Sequence, residues 1–496
     1  MRLDELASLL LTSRRHGRGG EVTVSGIRID SRKVEPGDLF ICLPGHTVDG
    51  HDYAAQAAER GAAALVVERP LAVDLPQLVV KDSRLAMAVM GSHYYGYPSQ
   101  RLRMIGVTGT NGKTTTTYLI ERVLADAGHA AGVIGTIEMR YAGRSIPMSG
   151  TTPESLDLQQ ALAEMVAAGV EYCVMEVSSH ALEQGRVKGC RYRSAIFTNL
   201  TQDHLDYHET MDKYAAAKGL LFSRLGNTYH EDRAERSYSI VNIDDAYGAS
   251  LAKAAATEII SYGIDAEADV RATEISISAR GTTFRLTTFR GSCTVQMRLV
   301  GKFNVYNALA AVAAGLAEGL ELSSIAASLE RIPGVPGRVE AVDAGQPYAV
   351  IVDYAHTPDG LENVLAAIRE IAAGRVICVF GCGGDRDRTK RPVMGRIAAS
   401  HADYVMVTSD NPRSEDPEQI LLDIEAGLIE AGVARERYGL EVDRREAIKK
   451  AVEMASPDDV VLIAGKGHET YQIVGSETLA FDDRQIAEQM IRSLEP

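Results

Sequence analysis

A glycine-rich loop set between a strand and a helix constrains this chain more than any other feature. Residues 102–107, Leu-Arg-Met-Ile-Gly-Val, read as a buried strand, and residues 118–124 read as a helix. Between them stands Gly109-Thr110-Asn111-Gly112-Lys113-Thr114-Thr115. A loop so poor in bulky side chains can wrap its backbone N–H groups round phosphates at a helix N-terminus, where the helix dipole adds positive potential. In that geometry Lys113 reaches the β/γ-phosphates and the Thr114 hydroxyl meets Mg²⁺. The expected ligand is a nucleoside triphosphate that is used up. The general pattern G-x-x-x-x-G-K-[ST] asks for glycine where Val107 stands. A glycine turn without a ligand is therefore the competing reading of the loop alone.

With 496 residues the chain exceeds one hydrophobic core, and its length suggests about three domains. Its formal charge of −15 disfavours a nucleic-acid partner, which needs a basic surface. Phosphate-bearing ligands must then meet locally concentrated positive charge. Cys42, Cys173, Cys190, Cys293, Cys378 and Cys382 form no Cys-x-x-Cys pair, so buried free thiols in a reducing compartment are expected. No stretch approaches the roughly 18 apolar residues of a membrane span, and the run Leu9-Leu10-Leu11 is too short for a signal segment. No membrane partner and a cytoplasmic location are expected.

The fold class expected is α/β in three domains. Residues 1–98 form a small α/β unit, with strands over 22–29, 39–43 and 64–67 and a helix over 53–60. Residues 99–334 form a central nucleotide-binding domain with a mostly parallel sheet. An antiparallel edge is expected over 268–300, where short alternating strands appear. Residues 335–496 form a doubly wound, Rossmann-like domain with buried strands over 348–353, 375–380, 404–408 and 460–464. The segment 333–337, Pro-Gly-Val-Pro-Gly, marks the boundary before it.

Ligand groups collect beyond the C-terminal ends of strands in such sheets. Six such positions here are dense in charge and glycine: 176–180, 198–206, 353–356, 381–388, 408–413 and 465–469. Polar loops are common, but this many in two domains point to a large polar site. Glu176 can complete Mg²⁺ coordination or be a plain capping or surface carboxylate. His204 can bind metal, move protons or be structural. Thr151-Thr152-Pro153-Glu154 fits a helix N-cap and equally fits hydroxyls presented to a carboxylate or phosphate.

In this order, the strings GTNGKTT, TTPES (151–155), EVSSHAL (176–182), TNLTQDHLDYH (198–208), GKFNVYNALAA (301–311), VDYAHTPD (352–359) and GKGHET (465–470) resemble those of the Mur ligases over nearly the whole chain. The strings GCGGDRDRTKRP (381–392) and DNPR (410–413) resemble those of the diaminopimelate-adding branch. The resemblance implies that ATP phosphorylates the free carboxylate of UDP-MurNAc-L-Ala-D-Glu. An amine of meso-diaminopimelate then attacks the acyl phosphate. Lys113 and two Mg²⁺ ions would offset the repulsion between carboxylate and γ-phosphate.

The resemblance also implies site residues. Gly109, Thr110, Asn111, Gly112, Lys113, Thr114 and Thr115 bind nucleotide, with Asn307 at the adenine and Arg338 and Asp353 reaching ATP. Thr114, Glu176 and His204 fall at metal positions, and Lys218 at the lysine carried as a carbamate. An unmodified lysine there would repel magnesium. Thr151, Thr152, Ser178, Gln184 and Arg186 match the dipeptide site. Ile29, Ser31, His46, Thr47 and Val48 match the uridine-diphosphate site. Gly150 stands where some relatives carry asparagine. Arg386, Asp410, Asn411, Pro412, Arg413, Gly465 and Glu469 match the diaminopimelate site. Diaminopimelate differs from lysine by one carboxylate, which a guanidinium can hold bidentately. Lysine would leave Arg413 desolvated and unpaired at a cost of about 2–5 kcal/mol. A monomer acting on these small molecules is expected. The alternatives are a sister ligase, or a nucleotide switch that would not need the acid and arginine clusters.

Overall fold

The structure is a computed structural model describing residues 1–17, 21–45, 48–148, 150–226, 229–278 and 281–494. The chain divides into two compact units. One comprises Met1–Gly106, His129–Arg193 and Ser223–Gly226; the other comprises Val107–Gly128, Ser194–Phe222 and Asn227–Pro496. The expected segment 1–98 falls in the first unit and 335–496 in the second, while 99–334 contributes to both.

The first unit carries a five-stranded sheet in the order Arg14–His16, Gln77–Val79, Ala64–Val67, Leu39–Ile41, Ile27–Arg28. It is parallel apart from the antiparallel edge strand Arg14–His16. Period-two alternation sends Leu39, Ile41, Ala64 and Val66 towards Ala86, Met87 and Met90 of the helix Ser83–Tyr94. Phe40, Leu65 and Val67 face the other way, onto Ala54 and Ala57 of the helix Ala54–Glu59. Two covered faces explain the continuous apolar runs. Each fully buried Leu, Ile or Val there contributes about 1.5–3 kcal/mol.

The strand expected over 22–29 shrinks to Ile27–Arg28. Upstream of it, Thr23 bridges to Arg2 and Val24 N donates to Met1 O, while Ser25 N donates to Gly37 O. Those backbone groups are spent on the chain start and on a turn, so no longer ladder forms. Elsewhere in this unit, Tyr172–Glu176 pairs parallel with Ala131–Ile134. That strand continues antiparallel into Glu138–Tyr141 and Arg144–Pro147.

In the second unit, Ser194–Phe197, Tyr238–Asn242 and Glu258–Gly263 pair in parallel. Val270–Ser278, Gly281–Thr288 and Gly291–Met297 then form an antiparallel meander, the change of texture expected over 268–300. The helix Lys302–Ala317 packs on the helix Lys113–Asp126 and buries Ala308, Ala310, Ala311, Ala313 and Ala314. Methyl-sized side chains let the two backbones approach closely.

A six-stranded sheet completes this unit in the order Glu340–Ala341, Ala349–Asp353, Val460–Ala464, Val376–Phe380, Tyr404–Thr408, Tyr438–Glu441. All neighbours are parallel except the first pair. Val376, Cys378 and Phe380 face the helices Pro358–Ile371, Lys390–His401 and Pro417–Glu430. Ile377 and Val379 face Arg444–Glu453 and Asp483–Leu494. Helices on both faces make the sheet doubly wound. Val460–Ala464 sits between strands that precede it in sequence, which opens a switch point at the strand C-termini. The mixed sheets and covering helices form the three-domain α/β architecture expected from the sequence.

Candidate active site

The phosphate loop connects the strand Arg103–Thr108 to the helix Lys113–Asp126. Gly112 precedes that helix with φ +84°, and a Cβ there would run into Asn307 Oδ1. Gly109 has φ +148°, and a Cβ there would run into Thr198 Oγ1. Both glycines are therefore needed for backbone conformation and for close approach. Asn111 N donates to Asn199 Oδ1 at 2.9 Å, and Asn111 O accepts from Thr198 Oγ1 at 2.6 Å. Asn111 Nδ2 donates to Asp359 Oδ2 at 2.5 Å, and Thr357 Oγ1 donates to Asn111 Oδ1 at 3.4 Å. Thr110 Oγ1 lies 3.2 Å from Tyr214 Oη. Lys113 Nζ folds over its own loop, donating to Gly109 O at 3.0 Å and Thr110 O at 2.7 Å. Thr114 Oγ1 accepts from Arg338 Nη2 at 3.0 Å.

Beside the loop lies a cavity of about 320 Å³, lined by Gly112, Thr115, Phe303, Tyr306 and Asn307 on one side and by Arg338, Asp353 and His356 on another. An adenosine and its phosphates are matched by this mix of aromatic, amide and cationic groups. Asp353 ends its strand and accepts from Val339 N and Ala355 N at 2.7 Å each. Burial raises its carboxyl above the usual range, with Arg338 opposing. The Arg338 guanidinium stacks 4.6 Å from the Tyr354 ring centre. Burial, assisted by Lys390, pushes His356 down to about 4, so its ring stays neutral at pH 7.

Lys218 is wholly buried; its Nζ donates to Gly109 O at 2.7 Å and stands 4.3 Å from the Tyr214 ring centre. Burial, reinforced by Lys113, holds its amine well below the ordinary lysine range, against the pull of Asp203. His204 has φ +55°, and its Nε2 lies 3.3 Å from Asp203 Oδ2. Burial would raise Asp203, but His204, Lys390 and His356 outweigh it and keep the carboxylate low.

In the first unit, Glu176 ends its strand almost fully buried. Its Oε1 accepts from Thr136 N at 2.9 Å and its Oε2 from Thr136 Oγ1 at 3.0 Å. Thr151 Oγ1 is 3.1 Å from Thr136 Oγ1. Thr152 Oγ1 donates to Glu176 O at 2.9 Å and accepts from Ser178 N, so this hydroxyl joins two strand-end loops. Ser178 caps the helix Ser179–Glu183 through Ala181 N. Arg186 bonds Gln184 Oε1, Thr152 O and Glu154. Ser31 Oγ donates to Gln56 Oε1 at 2.6 Å, Ile29 is half-buried and Val48 is exposed. His46 and Thr47 lie outside the described residues.

The remaining residues cluster at the strand C-termini of the six-stranded sheet. Gly465 has φ +117°, and a Cβ there would meet Asp410 Oδ2. Asp410 is buried, and its Oδ2 has no hydrogen-bond partner among the described residues. Asn411 Nδ2 donates to Glu469 Oε2 at 2.9 Å. Burial and the nearby Asp410 push Glu469 upwards, while Lys466 and Asn411 pull it down. Arg413 has φ +53° and its Nη1 donates to Gly384 O at 2.8 Å. Pro412 is buried, and Arg386 is exposed with its Nη1 on Asp385 O. Several site residues carried no assigned role in the sequence reading: Thr357 and Asp359, which grip Asn111, and Lys390, Lys466 and Gln472. All but Gln472 lie in strings visible in the sequence, but only the folded contacts reveal what they hold.

Three family models match in succession: "Mur ligase family, catalytic domain" over residues 23–96, "Mur ligase middle domain" over 107–315, and "Mur ligase, glutamate ligase domain" over 337–467. The chain is 54% identical over 475 residues to the UDP-N-acetylmuramoyl-L-alanyl-D-glutamate–2,6-diaminopimelate ligase of Geobacillus thermodenitrificans, covering 96% of each chain. It is 51% identical over 468 residues to the same-named ligase of Bacillus cereus, covering 94% of each. A solved structure of a UDP-N-acetylmuramoyl-L-alanyl-D-glutamate–2,6-diaminopimelate ligase matches with a TM-score of 0.67 and 37% identity, over 95% of this chain and 96% of that one. With a phosphate loop, strand-end clusters and matches along nearly its whole length, this chain belongs to the Mur ligase family.

Proposed function

We propose that the two clusters of the second unit divide the work of a single ligation, one handling ATP and the other the incoming amino acid. The chain is an ATP-dependent ligase that adds meso-diaminopimelate to UDP-MurNAc-L-Ala-D-Glu, a step in building peptidoglycan precursors. The observation that carries the division is chemical contrast. The loop around Gly112 is built on glycines at a helix N-terminus, a setting suited to phosphate, whereas the loops at 410–413 and 465–469 gather carboxylates and a guanidinium suited to a zwitterion.

The dipeptide carboxylate attacks the γ-phosphorus of ATP; ADP leaves and an acyl phosphate forms. A neutral amine of diaminopimelate then attacks the acyl carbon, and inorganic phosphate leaves as the amide forms. Lys113 neutralises phosphate charge as the two anions meet. Arg338 reaches the same loop and is positioned to follow the transferring group. Asn307 and Tyr306 hold the base. Thr151, Thr152, Ser178, Gln184 and Arg186 orient the dipeptide, and Ile29, Ser31, His46, Thr47 and Val48 the uridine end. The domain limits that go with this division are 1–98, 99–334 and 335–496, with 333–337 as the hinge.

Among the described residues no group of three or more His, Cys, Asp or Glu side chains forms a metal cage. Mg²⁺ uses one or two protein ligands and completes its shell with water and phosphate oxygens. In the second unit Thr114 and His204, with Lys218 as a carbamate, are the metal positions proposed, and in the first unit Glu176. The buried Lys218 amine, disfavoured as an ammonium, fits a group that reacts with CO₂ as the free base. Bound Mg²⁺ would stabilise charge on the transferring phosphoryl. No helix among the described residues is long and apolar enough to cross a membrane. A cytoplasmic monomer is the form proposed.

Phosphate release measured with each substrate omitted in turn tests the reading. Release is expected only when ATP, UDP-MurNAc-dipeptide and meso-diaminopimelate are all present, with L-lysine at least tenfold poorer. Equal turnover of lysine would sink the amino-acid assignment.

A further inference from the structure

We propose that Lys466, buried behind the amino-acid loops, is a positioning residue that sets both the shape and the charge of the diamino-acid site. The proposal rests on the assignment of residues 410–413 and 465–469 to that site. Lys466 has no solvent exposure. Its Nζ donates to Asn411 Oδ1 at 3.0 Å and to Glu469 Oε2 at 3.2 Å, 5.6 Å from the Tyr471 ring centre. A desolvated ammonium persists only where anionic and carbonyl oxygens surround it, so these contacts are structural obligations.

Asn411 is the hub that Lys466 holds. Its Oδ1 accepts from Lys466 and from Ile473 N at 2.9 Å, and its Nδ2 donates to Glu469. Two donors on one end and a carboxylate on the other fix the amide's orientation. The Asn411 amide oxygen is thus filled within the protein, and one N–H of its amide is spent on Glu469. Gln472 Nε2 bonds Asp410 O at 2.8 Å, while Arg413 N bonds Ile473 O at 3.1 Å and Gly475 N bonds Arg413 O at 2.7 Å. Through Asn411, Lys466 therefore ties Glu469 to the loop that keeps Arg413 in its left-handed backbone conformation.

The charges carry the second half. Arg444 and Asp483 form a wholly buried ion pair of their own, 2.7 Å apart. With the Arg413 guanidinium reserved for a substrate carboxylate, the carboxylates of Asp410 and Glu469 stand against the Lys466 ammonium. One negative charge is left over, and Asp410 Oδ2 lacks a partner among the described residues. One substrate ammonium satisfies it. A diamino acid has two amines, and the attacking one must be the free base. Lys466 thus limits the site to one ammonium, so that it binds one end of the substrate without stabilising the protonated form of both.

Steady-state kinetics on the full-length enzyme test this with Lys466→Met and Lys466→Gln; the latter keeps a donor for Asn411 without the charge. Both are expected to raise KM for meso-diaminopimelate at least 20-fold while KM for ATP and for UDP-MurNAc-dipeptide stays within twofold. Asn411→Ala, which cuts the same link without removing the cation, is expected to raise the same KM and keeps the test open should the lysine variants not fold. A diaminopimelate KM within threefold of wild type in these variants overturns the proposal, as does a parallel rise in all three KM values. If Lys466→Gln alone behaves as wild type, the charge argument is overturned. Arg413→Met is run alongside: if it too leaves the diaminopimelate KM unchanged, the site itself has been misassigned. If Arg413→Met raises the KM and the Lys466 variants do not, only the role of Lys466 fails.

Discussion

In the phosphate loop, Thr110, Asn111, Lys113 and Thr114 all bond neighbouring protein groups, and Gly109 and Gly112 stand where a Cβ would collide. In the cluster after Thr408 and Ala464, Asp410 keeps a buried carboxylate oxygen without a partner among the described residues, and the Glu469 carboxylate, the Lys466 ammonium and the Arg413 guanidinium share one loop pair. Backbone N–H groups serve any triphosphate and tolerate little change in chain path. Side-chain charges choose one amino acid and tolerate backbone change better, provided their supports stay. ATP handling should therefore fail through geometry, and amino-acid choice through charge.

The largest effect is expected at Gly112. Gly112→Ala puts a Cβ against Asn307 at a φ of +84°, and should lower kcat/KM at least roughly 1,000-fold with all substrates. Turnover within tenfold of wild type would show that the loop does not work through its backbone.

The amino-acid side rests on a buried support. The Arg444 guanidinium bonds Ser409 O and Ala464 O, the carbonyls just before Asp410 and Gly465, and pairs with Asp483. Asp483→Asn leaves that cation unpaired and should cost about 3–5 kcal/mol of stability in urea unfolding. A loss under 1 kcal/mol would mean the pair is not what supports these strand ends.

Arg413→Met is next. It should raise KM for meso-diaminopimelate roughly 100-fold, and the ratio of diaminopimelate to lysine turnover should fall with it. An unchanged ratio would remove Arg413 as the carboxylate selector.

The smallest effect concerns pH. His356 has a folded value of about 4 against an ordinary 6.5, so the unfolded chain binds its proton first. Its neutral burial stabilises the fold above pH 6.5, and that contribution is lost as pH falls towards 4, by up to about 3 kcal/mol. Wild type should lose more thermal stability between pH 7 and 5 than His356→Gln does. Parallel losses would show that His356 is not the group responsible.

Much of this was readable along the chain. Ser194–Phe197 and Ala64–Val67 fell where their apolar runs lie, because a buried parallel strand needs nothing beyond a short hydrophobic run between turns. Residues 22–29 misled for a related reason. Alternation was present, but the backbone bonds went to Met1 and Gly37. The hairpin of Tyr471–Val474 and Glu477–Ala480, turning near Gly475, was not anticipated, although it supplies Gln472 and the bonds that hold Arg413. Lys466 stood inside a quoted string without a role, since a lysine's burial is invisible in one dimension.

By itself the sequence determined the covalent and local facts. These are the glycines that permit the loop, the order of strands and helices, and the charged residues placed at strand ends. They follow from periodicity and backbone sterics over a few residues. Only the tertiary structure decided which charges lose their water and which partners they then keep. Asp359 gripping Asn111, the buried Lys218 amine on Gly109 and Lys466 on Asn411 join residues far apart in sequence. Their chemistry depends on burial and distance, which the folded chain alone provides.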